Sequence, residues 1–209
     1  MTRSQPAARK EAILEAGVAI FGSVPYDEVS IDDIASRAGV AHGLVFHYFA
    51  SKKGLYLAVL EQTAADLRQV HTPPGEQWSP RRRARAIIRA HLDYIEAHPE
   101  SLLAFFRGGI GADPEARQII EHSRREGIQQ LLDVLQLTKP SLAVQLAMRG
   151  WAGFLDEAMI HRLEHDVPIA RDRLIDMAVE VLVSALIVAQ GKRRQGRDPR
   201  DLLAAPDHL

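Results

Sequence analysis

Apolar residues recur at helical spacing along almost the whole of this 209-residue chain, while strand-like alternation is scarce. Ile13, Ala16 and Ile20 fall at i, i+3 and i+7, and Phe21 joins that stripe, predicting a first helix that stops near Gly22 to Pro25. Ser30 is a suitable N-cap, and Asp33 three residues on can bond back to it, so a second helix runs from there to about Ala38. Gly39 ends it, because glycine accepts the left-handed conformation that a tight turn needs. A short third helix covers roughly 41–47, and Ser51 caps a fourth that begins with Lys52 and runs to about Val70. The stretch "HTPPGEQWSP" at 71–80 is a loop. Further helices are expected at about 80–97, 100–107, 114–136, 140–165 and 168–190, punctuated by Pro99, the Gly108/Gly109/Gly111 cluster, Pro114, Pro140 and Pro168. The pattern is all-α: a small N-terminal bundle passing into a larger one.

Two helices joined by a short glycine-bearing turn suggest a helix-turn-helix. Ala35 stands where the two helices would cross, Gly39 follows four residues later, and Val45 lies six residues beyond on the inner face of the second helix. Ile34, Ala38 and Val40 complete a small core. A plain helical hairpin explains these positions equally well, but not what comes next. The run "AHGLVFHYFASKKG", residues 41–54, crowds aromatic rings, imidazoles and lysines together with no acid. From Ile34 to Leu60 there is no Asp or Glu, against Arg37, Lys52, Lys53 and two histidines. In a helix-turn-helix the N-terminal residues of the second helix meet base edges in the major groove. Here those are Ala41, His42, Gly43 and Leu44. Gly43 costs about 1 kcal/mol relative to alanine inside a helix, which makes sense if a DNA strand approaches the backbone closely. His47 and Tyr48 are expected to face outward and donate to phosphates, with Ser30 helping to position them. Lys52 would lie in the first turn of the next helix, where the helix N-terminus itself attracts an anion. Phe46 and Phe49 are read as the buried half of the same stretch.

Bulk composition narrows the picture modestly. The net charge of -1 rules out a general polycation, so any nucleic-acid surface must be local. The absence of cysteine excludes disulfides and thiolate-held metals and fits a reducing compartment. The start "MTRSQPAARKEAILEA" has no apolar core of a secretory signal, and "VLVSALIVAQ" at 181–190 is too short to span a bilayer. A cytoplasmic protein with no membrane partner is expected.

Residues 29–60, "VSIDDIASRAGVAHGLVFHYFASKKGLYLAVL", resemble the N-terminal signature of the TetR/AcrR family of transcriptional regulators. The resemblance is collinear from Arg9 and Ile13 to Val59. It includes the Ile-Ala-x-x-Ala-Gly-Val run at 34–40, Gly43, His47-Tyr48-Phe49 and Ser51-Lys52. Three positions depart from the pattern. Phe46 stands where tyrosine is common. Leu44 stands where polar or small residues are common, and either reads a thymine methyl or packs. Lys53 stands where glutamate is common, adding a phosphate contact. The resemblance implies a three-helix DNA-binding domain over 1–51 and a helical ligand-binding and dimerisation domain over 52–191; the charged, proline-bearing residues at 192–209 are read as a flexible tail. It implies a homodimer joined through helices near 140–165 and 168–190, double-stranded DNA with a palindromic operator as partner, an unidentified small-molecule effector, and no cofactor. Most relatives repress. The helix at 168–190 agrees independently: Leu174, Met177, Ala178, Val181, Leu182, Ala185 and Val188, with Val183, Leu186 and Ile187 on the remaining faces, make it apolar on nearly every side. Candidate effector-pocket residues are Phe105, Phe106, Met148, Trp151 and Leu155 as an apolar lining, with His91, Tyr94 or Arg107 as orienting polar groups. Each ring is equally at home in a plain core, and Arg107 suits either a ligand carboxylate or a solvent-facing helix end.

Two other signals compete. "HRLEH" at 161–165 fits an H-x-x-E-H pattern centred on His161, Glu164 and His165, in which the two histidines, four apart, would hold zinc from one helix face. This alternative, a zinc-dependent hydrolase or metal-binding helical protein, needs a third ligand such as Asp176 or Glu180. The pattern also sits near a helix end, where basic residues suit the dipole. "SPRRRARAIIRAHL" at 79–92 has five arginines and no acid, and reads as a solvated stripe of Arg82, Arg85 and Arg89 rather than a second nucleic-acid patch. No phosphate-binding glycine loop or nucleophile elbow is present, so the chain is not read as an enzyme.

Overall fold

The computed structural model describes residues 5–71, 77–107, 113–165 and 167–191. Among them are nine α-helices and a 3-10 turn at Tyr26–Glu28: α1 (Gln5–Phe21), α2 (Ile31–Ala38), α3 (His42–Phe49), α4 (Lys52–Val70), α5 (Pro80–Ala97), α6 (Pro99–Arg107), α7 (Pro114–Val134), α8 (Leu142–Glu164) and α9 (Arg171–Gln190). The expected helices are all found, with ends shifted by up to three residues. The third runs from His42 to Phe49, and the last starts at Arg171, three residues later than expected. The expected tail at 192–209 lies outside the described residues, and among those described no helix is long and apolar enough to cross a membrane.

The chain forms two compact units: residues 1–66 with 97–123, and residues 67–96 with 124–209. Helices α4 and α7 each carry residues of both. In the first unit, Ile13, Phe21, Ile34, Ala35, Val45, Leu55 and Val59 form a continuous buried cluster. Burying each larger aliphatic or aromatic side chain contributes roughly 1.5–3 kcal/mol. Tyr56 is the hub. Its ring meets Phe21 and Tyr26 edge-on at 5.0 and 5.3 Å, and its hydroxyl donates to the Ala104 carbonyl at 3.0 Å. Burial pushes that hydroxyl's pKa up to about 12, so it stays a donor. Phe105 and Phe106 pack edge-on at 5.3 Å within this same cluster.

In the second unit, α8 and α9 pack together, and Trp151 of α8 donates its indole N–H to the Ala178 carbonyl at 2.8 Å. Met148, Leu155 and Met159 of α8 are buried, as are Leu174, Ile175, Leu182 and Leu186 of α9. Other apolar positions on these helices are bare: Leu142, Leu146 and Val188 are 83, 73 and 79% exposed. Helix α9 is therefore not buried all round within one chain. The arginines of α5 overturn the reading of a solvated stripe. Arg81 pairs with Glu180 at 2.7 Å, Arg85 with Asp176, and Arg89 with Asp172 at 2.6 Å. Three arginines spaced by four meet three acids spaced by four in reverse order, so α5 and α9 run antiparallel and are laced along one edge. Arg82 lies over the Trp78 ring at 4.1 Å.

Candidate nucleic-acid interface

The geometry of α2 and α3 follows from local chemistry. Ser30 caps α2 by accepting the Asp32 amide at 3.1 Å, and Gly39 ends it in the left-handed region at φ 65°. The Gly39 amide returns to α2, and Val40 N–H donates to the Ala35 carbonyl at 3.0 Å, which turns the chain into α3. Ile34, Ala35 and Val45 are buried where the two helices meet, while Ala38 and Val40 pack against that core half-buried.

On the outer side, Ala41, His42, Gly43 and His47 are exposed, and Leu44 is half-buried against the core. Ala41 offers no side-chain acceptor to the first amides of α3, and no acid occupies its first turn. A β-carbon built on Gly43 would meet nothing within 4 Å, and its backbone is ordinary helix. Neither packing nor conformation within the described residues requires a glycine there.

Several sequence expectations change here. Phe46 is 41% exposed instead of buried, because it shares the outer face of α3 with His42, one turn earlier; Phe49 is buried as expected. His42 is exposed but not free. Its Nδ1 lies 2.5 Å from Oδ1 of Asp32, and its ring packs on Phe46 with centroids 5.1 Å apart. Tyr48 donates its hydroxyl to the Pro6 carbonyl at 3.1 Å, fastening α3 to the start of α1. Lys52 points its ammonium at the carbonyls of Val29 and Asp27, at 2.8 and 3.3 Å, and lies 4.7 Å from the Tyr26 ring centre. Both residues tie the α2–α3 region to neighbouring backbone in this structure. Ser51 caps α4 as expected, accepting the Gly54 amide at 2.9 Å. Lys53, read from the sequence as a phosphate contact, pairs with Asp113 at 2.7 Å and Glu115 at 3.3 Å. The hydrogen bond from Lys53 holds the Asp113 carboxyl below the usual range.

The effector-pocket candidates fall on both units. Phe105 and Phe106 belong to the first unit, whereas His91, Tyr94, Met148, Trp151 and Leu155 belong to the second; α6 ends at Arg107, whose side chain lies outside the described residues. His91 has a partner that the sequence did not suggest. Its Nδ1 lies 2.8 Å from Nε2 of His71, and its own Nε2 is buried with no partner. Burial lowers the pKa of His71 to about 4, and burial plus the neighbouring ring lowers that of His91 to about 3, so both are neutral near pH 7.

The zinc alternative loses its third ligand. His161 and His165 stack at 4.3 Å where α8 ends, but Asp176 and Glu180 are held by Arg85 and Arg81. Among the described residues no group of three or more His, Asp or Glu side chains is placed to hold a metal ion.

Comparisons with known proteins agree with this geometry. Residues 13–59 match the family described as "Bacterial regulatory proteins, tetR family", and residues 80–185 match that described as "Tetracyclin repressor-like, C-terminal domain". The HTH-type transcriptional regulator BetI of Yersinia pestis is 29% identical over 154 residues, covering 71% of this chain and 77% of its own. BetI of Agrobacterium fabrum is 27% identical over 165 residues, covering 77% and 80%. The crystal structure of a tetR-family transcriptional regulator from Streptomyces coelicolor superposes with a TM-score of 0.82 at 26% identity, over 98% of this chain and 90% of that one.

Proposed function

The chain belongs to the tetR family of bacterial regulatory proteins, a family of DNA-binding transcriptional regulators and not of enzymes, and from that premise we propose that it is a homodimeric repressor. It reads a palindromic operator and leaves it when a small-molecule effector binds. The observation that carries the reading is Gly43: an exposed glycine in the first turn of α3, with neither packing nor backbone conformation within the described residues to explain it. A DNA backbone pressed against α3 supplies the missing reason. The uncapped amides at the start of α3 suit a phosphate. His42, Leu44 and the Ala41–Gly43 backbone then face base edges, and His47 faces the phosphates. Ser30, Tyr48 and Lys52 set the position of the head through their contacts to α2, α1 and the Val29 carbonyl.

Dimerisation is supported by the bare apolar surface of α8 and α9, where Leu146, Ala147, Val181, Ala185 and Val188 line an open groove. Gly150 and Gly153 lie exposed on α8 with no internal contact to explain them, and permit a second helix to approach closely. A two-fold dimer places two heads on half-sites about 34–36 Å apart, or a multiple of that. The effector binds in the second unit, with His91 as an orienting polar group, because its buried Nε2 lacks a partner. Release follows from the effector's preference for a state in which the heads no longer match the half-sites. A cytoplasmic location suits this activity.

Selection from a random DNA library at physiological salt tests the reading. The expected product is a palindrome with fixed half-site spacing, bound by two chains and with steeply salt-dependent affinity. Recovery of single, unpaired half-sites would overturn the dimeric part, and recovery of no preferred sequence at any salt would overturn sequence reading itself.

A further inference from the structure

Asp32 has no evident place on a DNA-facing surface. It is 79% exposed, stands in the first turn of α2, and repels phosphate whatever the DNA sequence. Its carboxylate is nevertheless directed at one group, Nδ1 of His42, across 2.5 Å and ten residues of chain. The His42 side chain is itself half exposed, so the contact is not needed to satisfy a buried atom. An exposed pair of this kind adds little to stability. On its other side the ring rests on Phe46, at a tilt of 40°. The imidazole is thus held by two contacts, one from each helix of the motif.

We propose that Asp32 is a positioning residue for base recognition, which makes His42 present Nε2 to the major groove as a hydrogen-bond acceptor. This rests on the reading that α3 enters the groove with His42 at base edges. A carboxylate only accepts hydrogen bonds, so the ring atom facing it must carry the hydrogen. In the uncharged form of the imidazole, Nδ1–H directed at Asp32 puts the lone pair on Nε2. The opposite tautomer would set that lone pair against the carboxylate, and Phe46 opposes free rotation of the ring. In the major groove an acceptor meets the exocyclic amino group of cytosine or adenine, whereas guanine and thymine offer acceptors of their own. His42 therefore selects an amino-bearing base on the strand it faces, although the chain pays for this with an acid that weakens binding to all DNA.

The test is a comparison of selected DNA libraries and binding isotherms for the natural chain and for His42→Ala, Asp32→Ala and Asp32→Asn. Circular dichroism and melting confirm that each is folded. The natural chain should prefer cytosine or adenine at one position of each half-site, by roughly tenfold over guanine or thymine. His42→Ala should erase that preference. Asp32→Ala should reduce it to about twofold or less while holding or raising affinity for random DNA. Asp32→Asn keeps an acceptor oxygen in place and should retain most of the preference. An intact preference in Asp32→Ala, or a uniform loss over all sequences, overturns the role of Asp32. A guanine or thymine at the position erased by His42→Ala overturns the acceptor assignment. If His42→Ala alters no position, the placement of His42 at base edges fails, and this inference with it.

Discussion

Gly43 is a residue whose identity the folded chain does not need. Its φ is ordinary and a β-carbon would touch nothing, so Gly43→Ala should stabilise the fold by roughly 0.5–1 kcal/mol. The same methyl group would stand between α3 and a DNA strand. Operator affinity should therefore fall, on the order of tenfold or more, while melting temperature rises. Parallel melting and binding curves check this, and a variant that is both more stable and equally tight would remove the argument for close backbone approach. Sequence reasoning could pick out Gly43, because a glycine inside a helical pattern is locally anomalous. It could not exclude an internal packing reason. At the same scale Phe46 was misassigned, because an aromatic in a short helix reads as core until the neighbouring helices fix which face is covered.

At the scale of elements, the His71–His91 contact joins the end of α4 to α5, and it makes a pH prediction. Both pKa values are depressed by burial, to about 4 and about 3, against about 6.5 in an unfolded chain. Between those values the unfolded state binds more protons, so stability rises with pH. The contribution is fully present above about pH 6.5 and is lost as pH falls toward about 4 for His71 and about 3 for His91. At pH 5 the loss is about 2 kcal/mol per histidine. Melting temperature should drop between pH 7 and pH 5, and the double variant His71→Leu/His91→Leu should remove most of that slope. An equal slope in the variant would place the acid sensitivity elsewhere. The arginine ladder of α5 teaches a related lesson. Five arginines without an acid look solvated in sequence, yet Arg85 and Asp176 are 91 residues apart in the chain and adjacent in the fold. Helix propensity and capping say where α5 begins and ends, and only its packing partner says what its polar edge touches.

At the scale of the whole molecule, the dimer prediction rests on the bare apolar face of α8 and α9. Leu146→Glu places a charge at a position that is already 73% exposed in one chain, so the fold should be nearly unaffected. In a dimer the same carboxylate would be buried against the partner. Sedimentation should show a mass near 23.2 kDa in place of twice that value, and operator affinity should fall by about 100-fold as bivalency is lost. A variant that remains a dimer would move the interface off this face. What the sequence by itself determined was local and repetitive: the helices, the Ser30 cap, the Gly39 turn, the small core of Ile34, Ala35 and Val45, and the family. Those signals act over a few residues, through backbone geometry and the period of the helix, so they survive without a partner element. Only the tertiary structure decided that His42 meets Asp32, that Tyr48 reaches Pro6, that Lys52 turns back to Val29, and that Lys53 is held by Asp113. Such contacts join groups 10 to 60 positions apart, and a polar group's partner is whichever group packing brings within about 3 Å, which no local pattern specifies.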